Sequence, residues 1–228
     1  MKFIHESYNQ AIEQNPNDAN AYYRRGEAYH KFDYDKAILD YDKAIQLKPD
    51  FADAYHYRGD AYLAKTDYDN AISDYTQAIQ LKPNYFPAYF HRGEAYDAKG
   101  DYDNAISDYT QAIRLKPSNI FAYQKRGLTY DAKDDYNNAI SDFTKAIDLH
   151  EISLSNAEAV ASIYINRGDI YRRKGDYDHA IADYNNAIKC KPDSAHPYYR
   201  RGCVYIDRSD YDQANADFAK AKEIRNTE

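Results

Sequence analysis

The sequence predicts an all-α fold, a solenoid of stacked antiparallel helix pairs with about 13 helices. The segment DYDNAISDYTQAI occurs twice without change, at residues 67–79 and 101–113. An Arg-Gly pair recurs six times, and successive glycines are 33, 34, 34, 41 and 34 residues apart. Small and aromatic residues flank each pair at helical spacing. Together these observations indicate a repeat architecture instead of one globular core.

The first helix of each repeat surrounds its glycine. In the third repeat, Tyr89 lies four residues before Gly93 and Tyr96 lies three after it. A spacing of seven residues keeps both tyrosines on one helical face. A break with Asp101 follows, and aspartate at this position predicts an N-cap for the next helix.

The second helix places Ala105, Tyr109 and Ala112 on one stripe, and Pro117 ends it. One helical hairpin cannot bury such a stripe alone. Stacked copies bury it against their neighbours, which explains why the same residues recur.

The pattern of each repeat is shown by one set of residues: Tyr89, Gly93, Tyr96, Ala105, Tyr109, Ala112 and Pro117. This pattern resembles the tetratricopeptide repeat, a helix–turn–helix of 34 residues, and the resemblance covers about nine-tenths of the chain. The closing proline is missing from the fourth and sixth repeats. The resemblance implies a right-handed superhelix in which the first helices line a concave groove that binds a peptide or a partner helix.

The repeat pattern divides the chain into an N-terminal helix and six repeats. The predicted segments are 1–18, 19–51, 52–85, 86–119, 120–160, 161–194 and 195–228. The fourth repeat carries seven extra residues, which predict longer helices there. The N-terminal segment matches a second helix alone, so it is either a lone cap or the remainder of a longer chain. Asn215 and Lys222 replace recurring isoleucines in the last repeat, as expected of a polar C-terminal cap.

Every glycine follows an arginine, and every second helix carries an aspartate just before its aromatic residue. The six pairs are Arg25 and Asp40, Arg58 and Asp74, Arg92 and Asp108, Arg126 and Asp142, Arg167 and Asp183, and Arg201 and Asp217. We expect each pair to bridge the two helices of its own repeat. The alternative is two charges that are solvated independently.

Composition excludes several classes of function. The net charge is −7, with 30 Lys and Arg against 37 Asp and Glu, which argues against a nucleic-acid partner. No apolar run approaches the ~20 residues that cross a bilayer, so no membrane partner is expected. The two cysteines do not form a disulfide framework, and a cytoplasmic setting fits. A protein whose leader had been removed would look the same.

The candidate binding residues occupy three positions of each first helix that face the groove. Three residues before the glycines lie Tyr23, His56, Phe90, Gln124, Ile165 and Tyr199. One residue after them lie Glu27, Asp60, Glu94, Leu128, Asp169 and Cys203. One turn further lie His30, Leu63, Asp97, Asp131, Arg172 and Ile206.

This surface is aromatic and acidic over repeats one to four, whereas Arg172, Arg173 and Arg200 add positive charge near repeats five and six. We hypothesise a partner with basic side chains near repeats one to three and a carboxylate near repeats five and six. The alternative is that the acids only keep the groove hydrated. Relatives that clamp a terminal carboxylate use lysine before the glycine and asparagine after it, and no repeat here has that pair.

The sequence offers no residues for an enzyme, and it predicts neither a metal nor another cofactor. His56 and His91 can approach each other between neighbouring repeats, but two histidines without a third fixed ligand make a poor zinc site. We therefore expect a scaffold or adaptor that binds a protein or peptide. The alternative is a self-assembling array joined through the N-terminal helix or the groove.

Overall fold

The computed structural model describes residues 2–153 and 157–226, and all regular structure in this part of the chain is α-helical. The thirteen helices are α1 (Lys2–Gln14), α2 (Ala19–His30), α3 (Tyr34–Leu47), α4 (Ala52–Ala64), α5 (Tyr68–Leu81), α6 (Phe86–Ala98), α7 (Tyr102–Leu115), α8 (Ile120–Ala132), α9 (Tyr136–Ser153), α10 (Ala157–Arg173), α11 (Tyr177–Cys190), α12 (Ala195–Asp207) and α13 (Tyr211–Arg225). The predicted all-α class is confirmed. Two compact units divide the chain, Met1–Pro117 with α1–α7 and Ser118–Glu228 with α8–α13.

Aspartates begin the second helices. The side chain of Asp101 accepts a hydrogen bond from the backbone N–H of Asn104, and Asp67 does the same for Asn70. These bonds satisfy N–H groups that have no partner within the helix. The cap therefore fixes where each second helix starts, as the sequence predicted.

A glycine and an aromatic ring hold each helix pair together. A Cβ added to Gly26 would lie 2.6 Å from Cε1 of Tyr41, and one added to Gly93 would lie 2.8 Å from Cε1 of Tyr109. Both rings are fully buried. Glycine is therefore needed because the ring of the second helix occupies the space of a side chain on the first.

Neighbouring repeats stack in the same way within each unit. The first helices α2, α4 and α6 touch in sequence in one unit, and α8, α10 and α12 do so in the other. Among the described residues, the second helices of adjacent repeats within a unit do not touch one another. The first helices thus form a row in each unit, which we call the inner row.

The extra residues of the fourth repeat are accompanied by longer helices before and after them, as predicted. The second helix α9 has 18 residues, whereas α3, α5, α7 and α11 have 14. The first helix α10 of the fifth repeat has 17 residues, whereas α2, α4, α6, α8 and α12 have 12 or 13. Helix α10 begins at Ala157, ahead of the repeat boundary predicted at residue 161. Residues 154–156, at the centre of the insertion, lie outside the described part of the chain. Within that part, no helix has both the length and the apolar character that a membrane crossing requires.

Candidate functional site

The six arginine–aspartate pairs of the sequence are bidentate ion pairs in the structure. Arg92 donates from Nε to Oδ2 of Asp108 over 2.7 Å and from Nη2 to Oδ1 over 2.8 Å. The other five pairs have the same geometry, and all six aspartates are buried. Each pair joins the first and second helix of one repeat. Both carboxylate oxygens of each aspartate are therefore hydrogen-bonded within the repeat.

The arginines also reach back to the preceding repeat, which the sequence analysis did not anticipate. Nη1 of Arg92 donates to Oγ1 of Thr76 over 2.9 Å, and Nη1 of Arg58 donates to Oδ1 of Asp42 over 2.5 Å. The corresponding bonds of three others run from Arg25 to Asn9, from Arg167 to Thr144 and from Arg201 to Asn185. From repeat one onward, the acceptor lies two residues after the aspartate of the preceding second helix. The recurrence of a side-chain oxygen at this position is the signal from which the contact could have been predicted, although the residue type varies.

The acids that follow two of the glycines accept hydrogen bonds from buried tyrosines. Tyr75 donates its hydroxyl to Oδ1 of Asp60 over 2.7 Å, and Tyr184 donates to Oδ1 of Asp169 over 2.6 Å. Burial raises the pKa of both tyrosines, so they stay protonated and act as donors. Asp60 and Asp169 therefore lie on the inner row and also stabilise the helix pair of their own repeat.

Whether the second helix of a repeat carries Tyr or Phe correlates with whether an acid follows the glycine of its first helix. Repeats one, two, three and five have Tyr in the second helix and an acid after the glycine. The fourth repeat has Phe143 with Leu128, and the sixth has Phe218 with Cys203. A hydroxyl thus occurs only where an acid stands beside the glycine, and the two hydrogen-bonded pairs, Tyr75 with Asp60 and Tyr184 with Asp169, are those in which this acid is aspartate.

Two of the predicted groove residues lie under the next repeat. Tyr23 is 7% exposed and packs against Phe51 and Tyr57, with ring centroids 4.8 and 5.8 Å apart. His56 is 4% exposed and packs in the same way against Tyr85. Both offer little surface to a partner. The remaining candidates are half-buried, apart from the buried Ile165 and the exposed Leu128, Tyr199 and Ile206.

A compact polar cluster lies between α4 and α6 in the first unit. Nδ1 of His91 lies 2.8 Å from Oδ1 of Asp60 and 3.1 Å from Nε2 of His56. Burial lowers the pKa of His56 to about 4, so this ring is neutral at physiological pH. The pKa of Asp60 is also lowered, although burial opposes this, because His91, His56 and Tyr75 stabilise its anion.

The inner row of the second unit contains the arginine cluster that the sequence placed there. Arg172 donates from Nε to Oδ2 of Asp207 over 2.6 Å, and Arg173 donates from Nη2 to Asp131 over 2.6 Å. Arg172, Arg173, Arg200, Asp169 and Asp207 line a cleft of about 530 Å³. The positive charge is therefore partly balanced by aspartates, of which Asp131 and Asp169 were among the predicted groove residues and Asp207 was not.

A smaller cleft of about 390 Å³ lies between the N-terminal half of α12 and the end of α13. It is lined by Ser194, Ala195, His196, Tyr199 and Arg225. Tyr199 is 47% exposed, so this cleft combines an accessible aromatic ring with one positive charge.

Family comparisons match most of the chain. Residues 6–31, 33–66, 59–100 and 168–207 match the family described as TPR repeat. Residues 86–119, 122–151 and 195–228 match two further families, both described as Tetratricopeptide repeat. No curated protein sequence matches the chain.

Several solved structures share the fold. The structure of MamA is 27% identical and superposes with a TM-score of 0.68, covering 74% of this chain and 95% of its own. BtubC from P. vanneervenii is 18% identical, with a TM-score of 0.72 and coverage of 89% and 91%. YrrB, described as a TPR protein with an unusual peptide-binding site, is 22% identical, with a TM-score of 0.69 and coverage of 83% and 94%.

Proposed function

Because the chain belongs to the tetratricopeptide repeat family, we propose that it is a protein-interaction scaffold whose inner rows bind a peptide or a partner segment. Proteins of this family are generally non-catalytic scaffolds. The residues shared by the repeats form the helix pairs and the ion pairs between helices. Specificity then depends on the inner-row residues that differ between repeats.

The observation that carries this proposal is the arginine-lined cleft on the inner row of the second unit. The ion pair with Asp207 uses Nε of Arg172, and a guanidinium has five N–H groups. Nε of Arg200 donates to Nε2 of His196 over 3.0 Å and lies 3.7 Å from Oδ2 of Asp169, so its terminal N–H groups are the ones that can face a partner. Both guanidinium groups therefore have donors for a further carboxylate. We propose that a carboxylate of the partner binds between them.

Apolar side chains on the same inner row supply contact area. Leu128, Tyr199 and Ile206 are exposed, and they stand at inner-row positions of α8 and α12. A rigid aromatic ring with a polar tip is typical of protein-binding surfaces. A partner segment with an acidic side chain beside an apolar one fits this surface.

The first unit favours the opposite charge. Glu27, Glu94 and Asp97 are half-buried on the inner row of α2 and α6. Asp60 contributes less, because Tyr75 and His91 already bind its carboxylate, and Tyr23 and Arg24 likewise bind that of Glu27. We propose that basic side chains of a partner bind there. The cytoplasmic location stays a prediction.

The experiment is selection of peptides from a random display library, followed by affinity measurement on the whole chain. Selected peptides that carry acidic residues should bind at least about tenfold more weakly to Arg172→Gln with Arg200→Gln. The matched control is Lys145→Gln with Lys189→Gln, two exposed cations on second helices of the same unit.

Equal affinity in the cleft variant and the control would overturn the proposal for the cleft. Sedimentation at several protein concentrations tests the alternative function predicted from the sequence, a self-assembling array. A monomer throughout the range is expected of a scaffold, whereas growth with concentration identifies a self-assembling array.

A further inference from the structure

Three side chains of neighbouring repeats point their ligand atoms at one place in the first unit. His56 and Asp60 lie one turn apart on α4, and His91 lies on α6. The atoms are Nε2 of His56, Oδ1 of Asp60 and Nδ1 of His91, and all lie within 4.8 Å of one another. Asp60 is the third fixed ligand that the two histidines lacked in the sequence reading.

The distances between these atoms suit a tetrahedral ion. They are 3.1 Å from His56 to His91, 2.8 Å from His91 to Asp60 and 3.7 Å from His56 to Asp60. Bonds of about 2.0–2.1 Å at tetrahedral angles place neighbouring ligands ~3.3 Å apart. The two imidazole rings are nearly parallel, with 18° between their planes and centroids 5.1 Å apart, and their nearest nitrogens are 3.1 Å apart.

Hydrogen bonds alone do not satisfy the three atoms. If Nε2 of neutral His56 carries the hydrogen and donates to His91, then Nδ1 of His91 must be an acceptor facing the carboxylate of Asp60. If Nδ1 of His56 carries the hydrogen, that N–H is buried without a partner among the described residues. Either tautomer leaves one polar contact unfavourable. A cation would accept electron pairs from all three atoms at once and so remove the unfavourable contact between Nδ1 of His91 and Asp60, while the Nδ1–H of His56 would stay buried as in the second tautomer.

We propose that His56, Asp60 and His91 form a binding site for a divalent transition-metal ion, with Zn²⁺ as the best match. Two imidazoles and one carboxylate are a ligand set that favours zinc over magnesium or calcium. Tyr75 donates to the same Oδ1 of Asp60 and would orient the carboxylate from the outer shell.

The site is fixed on one side and open on the other. His56 is buried, whereas the side chain of His91 is 31% exposed and that of Asp60 is 17% exposed. Three protein ligands leave one tetrahedral position for water or for a group of a bound partner. Because α4 and α6 belong to adjacent repeats, the ion would also link those repeats.

The test is titration of the chelator-treated whole chain with Zn²⁺ by calorimetry, together with the melting temperature. One ion should bind per chain and raise the melting temperature. His91→Gln should abolish both effects, and Tyr75→Phe should weaken binding about tenfold. His179→Gln is the control, since His179 also lies beside an aspartate, Asp176, but has no second histidine. It should bind like the native chain.

A second measurement does not depend on folding of the variants. Nitrogen-15 NMR of the native histidine rings should show zinc-dependent shifts at Nε2 of His56 and Nδ1 of His91. Shifts confined to other histidines, no binding at about 100 µM Zn²⁺, or equal binding by His91→Gln and the native chain would each overturn the proposal.

Discussion

Tyr75 and Asp60 are joined by a hydrogen bond of 2.7 Å that links the second helix of one repeat to its first helix. In the preceding repeat, the hydroxyl of Tyr41 is equally buried but has no hydrogen-bond partner among the described residues. The residue after the glycine is Glu27 there, one methylene longer than aspartate. Two tyrosines at the same repeat position therefore make different contributions to stability.

Replacing these tyrosines by phenylalanine should separate the two cases. Tyr75→Phe should cost about 1–2 kcal/mol, because it removes a donor from a carboxylate that is largely buried. Tyr41→Phe should cost nothing or stabilise slightly, since it removes a hydroxyl that is buried without a partner. Urea unfolding in the presence of a chelator measures both. Equal losses would show that the hydroxyl–acid contact contributes nothing.

Arg92→Leu should destabilise the protein by about 3–5 kcal/mol, because the carboxylate of Asp108 stays buried without its partner. Removing both charges in Arg92→Leu with Asp108→Leu should recover much of the loss. The control is Lys99→Leu, which breaks an exposed ion pair with Asp69 and should change the unfolding free energy little. A melting temperature of Arg92→Leu equal to that of the native chain would mean that the pair is solvated.

Gly93→Ala and Gly127→Ala should differ in sign or size. The new Cβ at Gly93 would lie 2.8 Å from the ring of Tyr109, so the ring must move at a cost of about 1–3 kcal/mol. At Gly127 the nearest ring atom, of Phe143, is 3.1 Å away. The better helix propensity of alanine, up to ~1 kcal/mol, should offset most of that smaller strain. Thermal unfolding of both variants measures the difference, and equal losses would contradict this explanation.

Stability should fall as the pH drops below about 6.5, in part because of His30. Burial among aromatic rings lowers the pKa of His30, and the more distant Asp60 opposes this only partly. The unfolded chain therefore takes up a proton that the folded chain does not, so stability is full above this pH and is lost below it. His30→Phe should flatten the profile between about pH 7 and 5. Parallel profiles would show that His30 does not contribute.

The helix pairs and their ion pairs could be predicted because they depend on contacts within one repeat. Helical spacing places Arg92 and Asp108 on facing helices, and six copies make the relation visible. The burial of Tyr23 and His56 could not be predicted from contacts within one repeat. It depends on Phe51 and Tyr85, which begin the following repeat and cover the earlier side chain.

The sequence predicted only part of the polar cluster of His56, Asp60 and His91. His56 and His91 were recognised as neighbours across repeats, but Asp60 was assigned to the groove surface. Its position one turn after His56 on α4 places both ligand atoms on one face, which is a signal in the sequence itself. What the sequence did not contain was the lateral offset between α4 and α6, which brings His91 to that face.

The backward contact of the arginines bears on how such a chain can be lengthened. The guanidinium requires only an oxygen on the preceding helix, and Asn9, Asp42, Thr76 and Thr144 all supply one. A duplicated hairpin would therefore meet a compatible acceptor at any of these junctions. Gene duplication can add copies first and diversify them afterwards, because the junction tolerates changes of residue type that would disrupt a matched pair of charges.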